Sequence, residues 1–201
     1  MRKLATVIAL ATLLTPAIAS AELSYDAAQL SFERLSQSGK RDLNMTNFNL
    51  TKGISSNVFL EGEYQTGKQA TGTSFGDVSA KGWILGAGYH TPITTNTDFI
   101  VTGRYRKITS SAAGTSLTGD SRILGIGIRS EFTPQFEGGL SASYASSTVG
   151  SSSSTTSMTG VKFQLGFKVM PQFQLMAGLA SNQSGSAPAV NTVDIGIRFF
   201  Y

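Results

Sequence analysis

The charged residues of this chain fall at even spacings. Glu61 and Glu63, Arg104 and Arg106, Arg129 and Glu131, Lys162 and Lys168, and Asp194 and Arg198 each keep the same parity, and Glu137 follows Glu131 in the same phase. Even spacing puts both members of a pair on one face of a β-strand. Such residues could line a narrow aqueous channel with a polar wall. On strands, the same pattern lines an interior with opposite charges that pair across it, because burying an unpaired charge is costly.

The other chemistry is sparse. His90 is the one histidine and there is no cysteine, so thiolate chemistry and disulfides are excluded and a transition-metal site is not expected. A hydrolase or acyltransferase would group His with an acid or Ser where substrate arrives. His90 instead falls near a strand end, where it reads as a lumen or turn residue. Asp77 and Asp120 lack the spacing of a Ca²⁺ loop. Gly86-Ala87-Gly88 and Gly125-Ile126-Gly127 resemble pieces of nucleotide loops, but no helix follows either, and glycine on a polar strand face makes room for long neighbours. No catalytic residue, cofactor or metal site is expected, and the chain reads as a non-enzyme.

These charges need strands to carry them. Period-two alternation bounded by Gly, Pro, Ser, Asn and Thr predicts ten strands, near 23–34, 43–52, 57–66, 80–90, 98–107, 121–132, 135–146, 159–169, 172–181 and 191–201. In the third, Val58, Leu60 and Tyr64 oppose Glu61, Glu63 and Gln65. In the eighth, Val161, Phe163, Leu165 and Phe167 oppose Lys162, Gln164 and Lys168. The first strand is less regular, since Tyr25 falls on the polar face if Leu30 and Phe32 point out. Eight strands is the alternative count. Nothing after Leu14 is long and apolar enough to span a membrane as a helix, and each strand has about the 9–11 residues that cross a bilayer at a tilt. A closed barrel is the other way to satisfy the backbone in lipid.

The connections alternate in length. Gly53–Ser56, His90–Thr97, Thr133-Pro134 and Met170-Pro171 are short. Ser36–Asp42, Gly67–Ser79, Ile108–Asp120, Ser147–Met158 and Asn182–Val190 are long, the Ser147–Met158 link being a low-complexity Ser/Thr run. That asymmetry is the transmembrane-barrel pattern, with the short turns periplasmic. Aromatic residues fall near both strand ends. Tyr64, Trp83, Tyr105 and Tyr144 lie toward the long loops, and Tyr89, Phe99, Phe132, Phe136, Phe173, Phe199 and Tyr201 toward the short turns. Two girdles at the membrane interfaces would account for both sets.

The two ends of the chain agree. Arg2 and Lys3 precede an apolar run to Leu14, and Ala19-Ser20-Ala21 is a small-x-small site, so residues 1–21 read as a cleaved signal peptide and 22–201 as one barrel domain. Its removal takes Arg2 and Lys3 from the 16 Lys and Arg and nothing from the 12 Asp and Glu, so the net charge falls from +4 to +2. A nucleic-acid partner is not expected. The last strand, Val193 to Tyr201, resembles the C-terminal signal of Gram-negative outer-membrane barrels, which implies recognition by the barrel-assembly machinery. Leu23-Ser24-Tyr25, Leu85-Gly86-Ala87-Gly88-Tyr89, Thr133-Pro134-Gln135-Phe136-Glu137-Gly138 and Gly196-Ile197-Arg198-Phe199 together resemble a family of small proteobacterial outer-membrane proteins. Its Xanthomonas member was once described as a secreted activator of plant immunity and quorum sensing. The resemblance implies an outer-membrane barrel and carries no catalytic residue.

The expectation is therefore an all-β, up-and-down antiparallel barrel in the cell outer membrane, monomeric and surrounded by lipid. Its polar lumen is salt-bridged, and its role is structural or one of surface interaction, with outer loops that could meet a surface ligand. The alternative is a small porin-like channel for ions or polar solutes. Two rivals differ more: a soluble ligand-binding barrel, with its apolar face inward, and an outer-membrane enzyme, with catalytic groups at the outer rim.

Overall fold

The computed structural model describes residues 23–69, 77–150 and 155–201. It contains ten strands: β1 (Ala27–Gln37), β2 (Leu43–Gly53), β3 (Val58–Gln69), β4 (Val78–Thr94), β5 (Thr97–Ala112), β6 (Thr115–Glu131), β7 (Phe136–Val149), β8 (Thr155–Met170), β9 (Phe173–Gln183) and β10 (Val190–Phe200). Each pairs antiparallel with its neighbours in sequence. β1 and β10 close the barrel from Ala27 opposite Phe200 to Gln37 opposite Val190. Closure leaves no unpaired sheet edge. The expected signal peptide, the middle of the Gly67–Ser79 link and Ser151–Ser154 lie outside the described residues.

Alternation decides which face is which. Leu60 and Tyr64, Leu124 and Ile126, Val161 and Phe163, and Val193, Ile195 and Ile197 are exposed on the outside. Asn47, Gln65, Gln174 and Asp194 are buried on the inside. A soluble fold does the reverse: it buries apolar groups and rarely exposes a contiguous apolar surface beyond a few hundred Å². This apolar band runs around the wall, so the soluble-barrel arrangement, apolar inside and polar outside, does not describe this chain.

Several features depart from the sequence reading, and the Ser147–Met158 link is one of them, since β7 runs to Val149 and β8 starts at Thr155 with Thr148 opposite Thr155. The first strand starts at Ala27, not 23. Residues 23–26 leave the sheet and enter the barrel end, which is why Tyr25 broke the pattern. The Ile108–Asp120 segment is no loop: β5 and β6 pair as far as Ala112 opposite Thr115, and Ala113 and Gly114, both at positive φ, make the two-residue turn that suits a twisted hairpin. β4 extends to Thr94 past a register shift at Pro92, where a residue without an N–H is tolerated. Ten strands, not eight, complete the circuit. Both ends of the barrel chain and the turns β2–β3, β4–β5, β6–β7 and β8–β9 share one rim, called here the short-turn rim; the opposite one is the loop rim.

Candidate functional site: the charged lumen

The lumen has room for long polar side chains because glycines sit beneath them. A Cβ at Gly88 would overlap the Phe59 ring, one at Gly166 the Gln174 amide, and one at Gly178 the Asp194 carboxylate. Barrels of about eight strands are just filled by their side chains, and ten gives slightly more space. These glycines convert that space into seats for particular residues.

At the short-turn rim the seats form a floor. Arg129 Nε and Nη2 donate to the two oxygens of Glu137 at 2.7 and 2.8 Å, a bidentate pair. Arg198, three strands away, donates from Nη1 to Glu137 Oε1 at 3.1 Å and to Gln174 Oε1 at 3.2 Å, and from Nε to Gln29 Oε1 at 3.1 Å. Gln174 Nε2 completes the ring at Glu137 Oε2, 3.3 Å. Beside it, Lys168 Nζ reaches past β7 to Glu131 at 2.6 Å.

The N-terminal segment is built into this floor. The Tyr25 ring stacks 3.9 Å from His90 and 4.8 Å from Phe59, between centroids, and the Arg129 guanidinium lies 5.2 Å from its centroid. Its hydroxyl donates to Asp98 Oδ2 at 2.9 Å, and Arg129 Nη1 donates to the Ser24 carbonyl at 2.8 Å. Burial pushes the Tyr25 hydroxyl above its ordinary pKa. His90 Nδ1 is 2.9 Å from Asp98 Oδ2, within ion-pair distance, but off the line of a hydrogen bond. Asp26 anchors the segment at the rim through Lys52 and the Gly53 N–H, and the Lys52 ammonium with that N–H holds its carboxyl below the usual range. Arg129, Arg198 and Lys168 match Glu131, Glu137 and Asp98 in charge.

Above the floor is a cavity of about 550 Å³, bounded below by Tyr25, Arg129, Glu137 and Arg198 and above by Leu35, Leu43 and Ile108. Arg104 pairs with Glu61, and Lys162 Nζ lies 3.2 Å from the buried Asp194. Glu63 accepts from Gln65 at 2.6 Å, and Arg106 donates to Ser121 at 3.3 Å.

The ten charges singled out from the sequence thus fall into two tiers. Arg129, Glu131, Lys168 and Arg198 join in the floor, and Glu61, Glu63, Arg104, Arg106, Lys162 and Asp194 stand higher. Tyr25, Asp98, Phe59, Gln29 and Gln174 were missed. The irregular phase of Tyr25 and the alternation that turns Phe59 inward were the available signals. The aromatics set aside as girdles lie on the outer face. Tyr64, Trp83, Tyr105 and Tyr144 sit toward the loop rim, with Trp83 and Tyr105 5.5 Å apart. Tyr89, Phe99, Phe136, Phe173, Phe199 and Tyr201 sit toward the other rim, and Phe132 folds back over Gly138. His90 is a floor residue, seated between Tyr25 and Asp98.

No family model matches the sequence, and no curated protein matches it. Solved structures do. The β-domain of the Bordetella autotransporter BrkA is similar over 87% of this chain and 98% of its own, at 10% identity and a TM-score of 0.60. The translocator domain of the autotransporter NalP from Neisseria meningitidis covers 100% of this chain and 95% of its own, at 11% identity and a TM-score of 0.52. The NanC porin covers 86% and 100%, at 12% identity and a TM-score of 0.51. At these identities the likeness is one of fold: this chain is a closed antiparallel β-barrel of the kind found in outer-membrane proteins.

Proposed function

We propose that this protein is an integral outer-membrane barrel without catalytic activity, sealed at its periplasmic end and acting through structure or through contacts at its outer rim. The observation that carries this reading is the floor, where Arg129, Glu137, Arg198 and Gln174 bond across the lumen and Tyr25 is stacked into the remaining gap. Bonds between non-adjacent strands are costly to break, because each would leave a buried charge or amide unpaired. The exposed apolar band supports lipid as the surroundings, and the closing strand to Tyr201 supports delivery by the barrel-assembly machinery. Kinship with the small proteobacterial family belongs to the same reading, and its Leu23-Ser24-Tyr25 motif lies in the floor segment.

The cavity above the floor favours a second reading, a narrow channel whose wall includes Glu63, Arg104, Arg106 and Lys162. Conductance in a planar bilayer separates the two. The chain from residue 22, refolded and inserted, is expected to be silent. A variant lacking Leu23–Asp26 and carrying Glu137→Ala is expected to conduct. Discrete steps from the unaltered protein, with selectivity that shifts on charge reversal at Arg104 and Arg106, would establish the channel instead.

A further inference from the structure

The outer wall carries a charge pattern that the lumen does not explain. Arg34 on β1, Lys68 on β3, Lys81 on β4, Lys107 on β5 and Arg122 on β6 all point outward and are exposed, close to the loop rim. The registers place them just beyond the outer aromatics. Lys107 is opposite Trp83, Arg122 is opposite Tyr105, Lys81 is two residues beyond Trp83, and Lys68 four beyond Tyr64. Arg34 is paired with Asp42. Lys68, Lys81, Lys107 and Arg122 form no ion pair among the described residues, and Asp120, opposite Lys107, is taken by the Tyr105 hydroxyl at 2.6 Å. At the same level β2 carries Asn44, between Arg34 and Lys68, and β7 to β10 carry Ser146, Ser157, Ser181 and Asn191, so the cations form an arc from β3 to β6 with Arg34 to one side, and not a ring.

We propose that this arc binds a membrane lipid whose headgroup carries more than one phosphate. The site rests on the outer-membrane reading above. Aromatic side chains at the end of an apolar wall mark the depth at which acyl chains give way to headgroups. Cations immediately beyond that depth meet phosphate, the anion of that layer, and Lys binds it as a point charge. From Lys68 to Arg122 the arc crosses three strand spacings, about 14 Å at 4.8 Å each, too wide for one phosphate. A groove of about 780 Å³ continues from it down the wall between β10 and β3. Arg34 and Lys68 stand at its polar end, with Phe32, Val193 and Ile195 along its side, a seat for an acyl chain beneath the headgroup.

Native mass spectrometry of the folded chain in mild detergent tests this, with diphosphoryl lipid A, monophosphoryl lipid A and phosphatidylcholine as probes. Retention should fall in that order. The variant K68Q/K81Q/K107Q/R122Q should bind the diphosphoryl lipid about a hundredfold more weakly. K52Q, at the opposite rim, should leave binding unchanged. Equal retention of all three lipids by the unaltered protein, which requires no variant to fold, would overturn the proposal, as would undiminished binding by the quadruple variant. Vesicle insertion, read by heat-dependent mobility on a gel, separates the two levels. Protein that never inserts overturns the membrane reading and the lipid site together, whereas inserted protein indifferent to phosphate overturns the site alone.

Discussion

At the short-turn rim the chain is bonded across the barrel, and at the loop rim, among the described residues, the hydrogen bonds of Thr109, Ser111, Ser184 and Gln37 run along it. Glu137 on β7 meets Arg198 on β10, Lys168 on β8 passes β7 to reach Glu131, and Tyr25 crosses to Asp98 on β5. At the loop rim the polar contacts join nearest neighbours: Thr109 with Thr118 at 2.9 Å, Ser111 with Ser116 at 2.7 Å, Ser184 with the Ser157 carbonyl at 2.9 Å, and Gln37 with the Pro188 carbonyl at 2.8 Å. Bonds across a lumen fix its cross-section, while bonds along a hairpin fix only the hairpin. One end is therefore a brace, and the other is free to differ in length and sequence without disturbing the barrel, as surface loops generally are.

The contrast can be broken at Glu137. Glu137→Ala leaves Arg129 and Arg198 buried without their shared carboxylate, and the loss should be about 3–5 kcal/mol in urea unfolding from vesicles. A loss below about 1 kcal/mol would mean that the floor braces nothing. Tyr25→Ala comes next. It removes a stacked ring and the donor to Asp98, should cost about 3 kcal/mol, and should open residues 23–26 to protease.

Gly88→Val should cost about 1–3 kcal/mol by driving into Phe59, the ring on which Tyr25 rests. A rise in pH acts on the same contact. Because the Tyr25 pKa is raised on folding, its contribution is whole below the ordinary tyrosine value of 10.0 and is lost as pH climbs toward the raised one. Protease access to residues 23–26 should then grow above pH 10, and the Tyr25→Phe variant should not show that growth. The smallest effect belongs to the loop rim. Replacing Ser111 and Ser116 by Ala should change stability by no more than about 0.5 kcal/mol, and a larger loss would show the hairpin to be part of the frame.

Most of the wall was legible in the sequence, because a two-residue period in Val161–Phe167 or Val193–Phe199 has only one reading when one face is charged. The interior tiers were legible as a set of residues but not as partners. Parity says that Glu137 and Arg198 face inward, while only the closed register says that they meet. Two errors have local causes. Tyr25 breaks the alternation of β1, but an irregular phase alone does not say whether the strand bends or the chain leaves the sheet, and the pattern reads as strand from residue 23. The 108–120 stretch has the Ser and Thr content of a loop, yet Thr and Ser pair well across a hairpin when Ala113-Gly114 supplies the turn.

The floor also constrains the order of assembly. Its members come from both ends of the chain, Gln29 and Arg198 being 169 residues apart, and Asp26 accepts from the Tyr201 N–H through its carbonyl at 3.3 Å. None of these bonds can form until β10 has found β1. Contacts so distant in sequence come late in folding. A barrel still zipping shut is thus an open ring whose floor lacks the Gln29–Arg198 bond and the tie between Asp26 and Tyr201. A barrel arrested short of closure would betray itself by rapid hydrogen exchange at the Tyr201 amide, whose acceptor is the Asp26 carbonyl.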